Sequence, residues 1–538
     1  MAHSKRSSRA QPRNANLPPL APWAARVALF VLPIVIAGLW SGHQLAKNGE
    51  LGFPMDDPYI HFQYAKNLAL GHGFSFNPGE LSPGATSPLW VLVLALGRVF
   101  GMPLEGGSLV LGVLLTCVAA VLTFDVGVAA GLGAGLAFIA GLAYAASGRI
   151  TWASLSGMEI GLATALSLAI VRVMQSPLAG ARRAAWIGAL SGLAATARPE
   201  MVLVGPLVLG LEAWRIARRE GPAGKLRDLA ILAVVFATLL APYTLFCLAT
   251  TGRPLPNTYY AKSWLPSITD RMLGTLRAKY LPLMYNVAWH DNLTFAVLLV
   301  PGVMVWAMRH LKRGGGLVLL WPLAFMVYSV VLNPRHFSLS RYTIPLVPFL
   351  ALLSMAPLSW ATQWLRAPAY RAAAVMAVVV LVGLGAWRSS HDYEPIYLAN
   401  CDNIVHQQVA MGRWVAKNLP AGARVATNDV GAITWFGGHY CIDVVGLVSS
   451  DFITHMQAWW KRYHTAFAEE ALPSFLRATQ PDYCILFPAW YPNLTKEPWL
   501  TPVGQFQYPN NTGGGSELVV YRVSGVPIGP MERKAGAH

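Results

Sequence analysis

Asp56 and Asp57 are adjacent in the segment FPMDDPYIHFQYAKNLALGHG. Two carboxylates just beyond an apolar run suit a general base that takes a proton from a hydroxyl, or part of a divalent-cation site. A structural use competes with both. Asp57 precedes Pro58, and an aspartate before a proline at the first helical position is an ordinary helix start. Capping needs one carboxylate, and two are present.

Other candidates fall in later polar breaks. Glu159, in SGRITWASLSGMEIGL, stands at the mouth of an apolar run. An acid at that depth faces a polar cavity or complements a helix dipole. Arg198 and Glu200 flank Pro199 and are expected to form a structural pair. The segment Pro256 to Lys262 (PNTYYAK) and the segment Asn333 to Tyr342 place Lys262 and Arg341 beside aromatic residues, with Arg335 and His336 close by in sequence. Cations in such places hold a lipid phosphate, or reach for headgroups without specific function. No Cys/His spacing fits zinc, and no phosphate-cradling loop or dinucleotide fingerprint occurs.

The elements that position these residues are set by composition. Of 538 residues only 12% are charged and 54% are hydrophobic, against roughly 25% charged in a globular protein. So little charge cannot cover a soluble surface. Disorder, collagen and coiled coil are excluded by the same arithmetic. The chain is expected to be a polytopic α-helical membrane protein. Its net charge of +16 is assigned to basic loops on the cytoplasmic side rather than to a nucleic-acid partner. The stretch 1–25 reads as a cytoplasmic basic tail, with Lys5, Arg6, Arg9 and Arg13 and no acid before Asn16. Five cysteines are too few for a disulfide scaffold. Cys401, Cys441 and Cys484 could supply one bridge if their part of the chain is extracytoplasmic.

Apolar runs predict a first helix near 26–46, then spans near 107–126, 131–147, 159–174, 184–197, 200–214, 228–249, 291–309, 315–333, 342–360 and 370–388. Basic clusters around Arg172–Arg183, Arg215–Arg227, Arg309–Arg313 and Arg366–Arg371 mark the cytoplasmic connections. Residues 88–100 are apolar but too short to span, and read as a helix lying on the outer leaflet. A single helix over 184–214 would be about 46 Å long, too long for a ~30 Å core. A hairpin turning at Arg198-Pro199-Glu200 is therefore expected. About eleven spans put the C-terminus outside. The membrane domain thus covers 26–388, with a long first outer loop over 47–106. From 389 onward turn residues and short strand patterns (Ala423–Thr427, Tyr440–Val445, Tyr483–Phe487 and Leu518–Val523) predict an extracytoplasmic α/β domain over 389–538. In it Asn428 and Asp429 are expected to cap a short helix.

The ordered set of motifs resembles the GT-C superfamily of polyprenyl-phosphate-sugar glycosyltransferases. The set runs Asp56-Asp57, Tyr64-Ala65-Lys66-Asn67-Leu68, Gly71-His72-Gly73-Phe74, Phe76-Asn77-Pro78-Gly79 and Ser87-Pro88-Leu89-Trp90. It continues with Ser156-Gly157-Met158-Glu159, Arg198-Pro199-Glu200, Pro256 to Lys262, Arg341-Tyr342, Asn428 to Ile433, Ile442-Asp443 and Gly446-Leu447. The similarity is greatest to the branch containing the mycobacterial terminal arabinofuranosyltransferase. It implies an acidic base on the first outer loop, an interfacial helix in that loop and a polyprenyl-phosphate donor. The acceptor would be a glycan, a lipid or a protein, and the protein an inner or plasma membrane one.

The expected activity is inverting transfer of a sugar, arabinofuranose among the possibilities, at the outer face. Asp56 is the first choice for base and Asp57 the second. Lys262, Arg341, Tyr259, Arg335 and His336 would hold donor and phosphate. Glu159, Arg198, Glu200, His61 and Asn257 would serve the acceptor or support the site. No cofactor is expected apart from an optional divalent cation. A lipid-linked-sugar flippase or a non-catalytic glycan-binding membrane protein are the alternatives. Neither accounts for both the carboxylate pair and the outer domain.

Overall fold

The computed structural model describes residues 21–218, 223–262, 290–309, 315–331, 341–365, 367–463, 468–509 and 511–526. Arg335 and His336 lie outside them. Helix α1, Pro22–Asn48, starts on a proline and stops at Gly49, whose φ of 71° ends the helix in the left-handed region. At 27 residues it is about 40 Å long and spans a bilayer core. The segment expected as the first outer loop then holds α2, Asp57–Ala69, and α3, Pro88–Val99. α3 has 12 residues, about 18 Å. It buries Trp90, Val91 and Leu94 while Leu92, Leu96, Val99 and Phe100 stay exposed. Such an apolar outer face on a helix too short to cross suits the membrane interface.

Helix α4, Leu104–Ala130, is a second long apolar helix. The run expected as a span over 131–147 holds α5, Ala134–Ala145, and the stretch expected as a loop after it opens with α6, Gly148–Ser154, bent by 60° from α5. Ser147 and Gly148 interrupt the run there, and the Gly148 N–H is taken by the Ser389 hydroxyl at 3.0 Å. Helix α7 covers Ile160–Met174 and α8 Gly180–Ala197. The chain turns at Arg198, whose backbone is extended (φ −152°, ψ 141°), as the residue before a proline prefers. A short 3₁₀ turn, Pro199–Leu203, leads into α9, Val204–Ala217. Helices α10, Ala223–Thr251, and α11, Asn257–Lys262, follow. Leu293–Arg309, Gly316–Val331, Val347–Trp364 and Pro368–Ile404 complete the bundle.

Among the described residues five helices are long and apolar enough to cross a membrane, or six if α5 and α6 form one broken span. Four more apolar helices have 10–17 residues. Two of the basic clusters meet, because Glu212 accepts from Arg183 at 2.7 Å and from Arg215 at 3.0 Å. The composition change at 389 is not a break in the chain, since one 37-residue helix runs through it from Pro368 to Ile404.

The C-terminal part, called the outer unit after the expectation above, holds a five-stranded sheet in the order β2-β1-β3-β5-β4. β1 (Arg424–Thr427) pairs parallel to β2 (Tyr440–Asp443) and to β3 (Tyr483–Leu486). β5 (Glu517–Val523) pairs antiparallel to β3 and to β4 (Leu500–Gln507). β4 escapes the sequence pattern because five of its eight positions are exposed, including Pro502. All five cysteines are free and buried.

Candidate active site

Pro58 fixes the first turn of α2, and Phe53, Tyr59 and Phe62 pack edge-to-face with centroids 5.3–5.6 Å apart. This rigid corner sends the two neighbouring aspartates in different directions. Asp56 takes the N-cap position of α2 but makes no side-chain bond to it. Its carboxylate instead crosses to the outer unit and accepts from the Gly431 N–H at 2.7 Å and the Ala432 N–H at 2.6 Å. These donors open the short helix Gly431–Gly437. The expected caps, Asn428 and Asp429, do not fill that place. Gly431 is required there, because a Cβ would lie 2.3 Å from the Asp56 carboxylate. Burial and the negative charge of Asp429 push the Asp56 carboxyl well above the ordinary carboxylate range. Asp429 is raised as well, by burial, and accepts from the Gln408 amide at 3.0 Å.

Asp57 faces a cavity of about 100 Å³ between α2, the α6–α7 connection, the Arg198 turn and α11. Its carboxylate lies 2.5 Å from the Arg341 guanidinium and keeps 35% of its side-chain exposure, against 8% for Arg341. Arg341 also donates to the Met55 thioether at 3.1 Å. Deeper in the wall, Arg198 holds Glu200 at 2.6 Å and Glu159 at 3.0 Å, all three buried. The Tyr342 ring lies between the two arginines, 5.4 Å from Arg341 and 5.3 Å from Arg198. Arg198–Glu200 is therefore more than the local pair expected, since it recruits Glu159 from another helix.

The mouth of α7 is set by Gly157. Its φ is +71°, its carbonyl accepts from the Trp90 indole at 3.0 Å, and a Cβ there would meet Phe53 at 2.6 Å. His61 also lines the cavity. Neither of its ring nitrogens has a hydrogen-bond partner among the described residues, and burial lowers its pKa so that the neutral ring is favoured. Tyr259 lines the same cavity and Lys262 ends α11; the Lys262 side chain lies outside the described residues. Asn257 does not line this cavity but a neighbouring one. Among the described residues no group of three or more His, Cys, Asp or Glu side chains is arranged to hold a metal ion.

Two residues to which the sequence reading gave no role in the site support it. Arg149 on α6 is wholly buried, with Asp291 as its ion-pair partner through both carboxylate oxygens, and donates to Thr343 at 3.0 Å. Thr343 is two residues beyond Arg341, so this pair fixes the turn Arg341–Leu346. The available signal was an arginine at the break of an apolar run, which in a membrane protein marks function or a buried partner. Asp443 is the second. Its oxygens accept four backbone N–H groups, from Val445, Gly446, Val448 and Ser449, at 2.7–3.2 Å. That loop brings Leu447 to the cavity wall.

The architecture matches solved structures. ArnT from Cupriavidus metallidurans in the apo state aligns over 93% of this chain and 98% of its own, with TM-score 0.61 and 15% identity. The same enzyme bound to undecaprenyl phosphate aligns over 92% and 97%, with TM-score 0.57 and 15% identity. This chain has the GT-C fold. The archaeal oligosaccharyltransferase AglB from Archaeoglobus fulgidus, in complex with an inhibitory peptide and a dolichol-phosphate, shares the GT-C fold. It aligns over 95% of this chain and 77% of its own, with TM-score 0.58 and 12% identity. Likeness at these identities concerns the fold. Residues 402–521, most of the outer unit, match a family described as a domain of unknown function, DUF8728. No curated protein matches the sequence.

Proposed function

We propose that the protein transfers a sugar from a polyprenyl phosphate to an acceptor hydroxyl at the outer face of the membrane. The observation that carries this reading is the Asp57–Arg341 pair on the cavity wall. A glycosyl phosphate already carries a good leaving group. The enzyme must therefore take the acceptor's proton and stabilise the departing phosphate. Asp57 has the exposure for the first task and Arg341 the charge for the second. Paired, they neutralise each other. A donor phosphate competes for the guanidinium and releases the carboxylate, so donor binding arms the base. Asp56 is committed to two backbone N–H groups of the outer unit, and the base is therefore assigned to Asp57, the second choice on sequence.

In the step, the acceptor oxygen gives its proton to Asp57 and bonds to the anomeric carbon, while the bond from that carbon to the phosphate oxygen breaks. The transition state is oxocarbenium-like, and inversion follows when Asp57, released from Arg341, takes the proton on the face of the sugar opposite the phosphate. Tyr259, from α11, completes the phosphate side. Glu159, Arg198, Glu200 and His61 shape the wall behind the acceptor. Apolar grooves between spans hold the prenyl chain. The undecaprenyl phosphate bound to ArnT and the dolichol-phosphate bound to AglB support this class of donor. The protein then resides in the plasma or inner membrane with its outer unit extracytoplasmic. The acceptor is a glycan, lipid or protein.

The test is an assay of purified protein with synthetic polyprenyl-phosphate sugars, arabinofuranose first. Turnover supports the reading. Movement of the lipid across a bilayer without turnover would make the protein a flippase, and binding without either a glycan-binding protein. Mass spectrometry of copurifying lipid names the donor.

A further inference from the structure

We infer that a second cavity, on the far side of the active-site wall, binds a sugar ring. It measures about 280 Å³ and lies between the first outer loop, the end of α10 and the sheet of the outer unit. The two cavities share a partition one residue thick. Pro83, Asn257 and Val448 face the second cavity, while their chain neighbours Gly84, Thr258 and Leu447 face the first. The partition is tied by the Asn257 N–H to the Pro83 carbonyl at 2.9 Å, and by the Thr258 hydroxyl to the Gly84 carbonyl at 2.9 Å and the Leu447 carbonyl at 3.3 Å. A Cβ on Gly84 would lie 2.5 Å from the Val448 Cα, so no thicker residue fits.

The lining has the chemistry of carbohydrate recognition. Asn257 is wholly buried, and neither of its amide atoms has a partner among the described residues. A buried amide left so is costly, and a hydroxyl-bearing ligand satisfies both of its ends. Ser82, Ser450 and Thr250 add hydroxyls, and Tyr440 adds an aromatic face. The Arg424 guanidinium is spent on the Tyr440 ring at 5.1 Å, and Glu80 accepts from the Tyr440 hydroxyl at 2.9 Å. Glu80 and Asp451 outweigh that one cation, which disfavours phosphate and favours an uncharged polyol. Asp443, also on the wall, is saturated by its four N–H groups and serves only to shape the loop. As part of an acceptor glycan's binding track, this site rests on the transfer reading above; as a sugar-binding site it does not.

The test is saturation-transfer NMR on the full-length detergent-solubilised protein with methyl α-D-arabinofuranoside, methyl α-D-mannopyranoside and methyl β-D-galactopyranoside. At least one should bind. Asn257→Ala, and independently Ser450→Trp to fill the cavity, should each weaken it tenfold or more at unchanged thermal midpoint. Inorganic phosphate should not compete. No binding to the unmodified protein, or binding that ignores both substitutions, overturns the site, the latter pointing to water as the only occupant. Glycoside binding that depends on Asn257 in a protein that transfers from no donor supports the site and removes the transferase reading. Turnover with no Asn257-dependent binding removes the site alone.

Discussion

The Asp57 carboxylate sits 2.5 Å from the Arg341 guanidinium, across 284 positions of sequence, while its neighbour Asp56 is turned away and caps a helix of the outer unit. Two adjacent acids therefore do separate work. One is exposed to the cavity beside a cation, and the other fastens the outer sheet to the first loop.

Asp57→Asn should lower turnover by roughly 10²–10⁴-fold, the usual worth of a general base, with the thermal midpoint kept. Asp56→Asn retains one acceptor oxygen of the two in use. It should keep more activity but loosen the outer unit, lowering the midpoint. Full turnover in Asp57→Asn sinks the base assignment. Equal, chelator-sensitive loss in both variants would put a divalent cation in its place.

Arg341→Lys keeps the charge but loses the planar fork and the stacking on Tyr342. Loss of one charge-assisted contact is about 1.5–3 kcal/mol, so donor KM should rise on the order of tenfold to a hundredfold. Acceptor KM should be unaffected. An unchanged donor KM argues against the phosphate role.

Arg149→Met leaves Asp291 buried without its cation and should cost about 3–5 kcal/mol. Adding Asp291→Leu should restore most of that stability. Because Thr343 loses its donor in both, donor KM should stay raised in the stable double variant. Recovery of KM along with stability would make the pair purely structural.

Burial raises Asp56 above its ordinary range, as does the Asp429 charge, and burial raises Asp429. The folded pair therefore keeps a proton that unfolded carboxylates lose near pH 3.9. Unfolding releases it, so this contribution is fully present below about pH 4 and falls as pH rises toward the folded values. The midpoint of the outer unit should be higher at mildly acidic pH than at pH 8. Asp429→Asn should flatten that slope, and a slope indifferent to the substitution would place its origin elsewhere.

A cytoplasm-active reporter fused after residue 538 should be silent, and a periplasm-active one functional. The reverse result would place the outer unit, and with it the proposed site, on the cytoplasmic side.

The sequence alone determined the class of the molecule, because a chain so poor in charge has no soluble solution and hydrophobic length is a local property. It located the short apolar helix α3, the Arg198 turn and four of the five strands, since length, proline and alternation act over a few residues. β4 was hidden because it is mostly exposed and carries a proline, so no apolar alternation marks it. The short helix α6 was hidden because it lies in a polar stretch that reads as a loop, and the Gly148 N–H that opens it meets the Ser389 hydroxyl, more than 200 residues away. The roles of Asp56 and Asp57 were decided only in three dimensions. Adjacent residues of one type are equivalent to any local rule, and what separates them is the partner each meets: the Gly431 and Ala432 amides for Asp56, and Arg341 for Asp57.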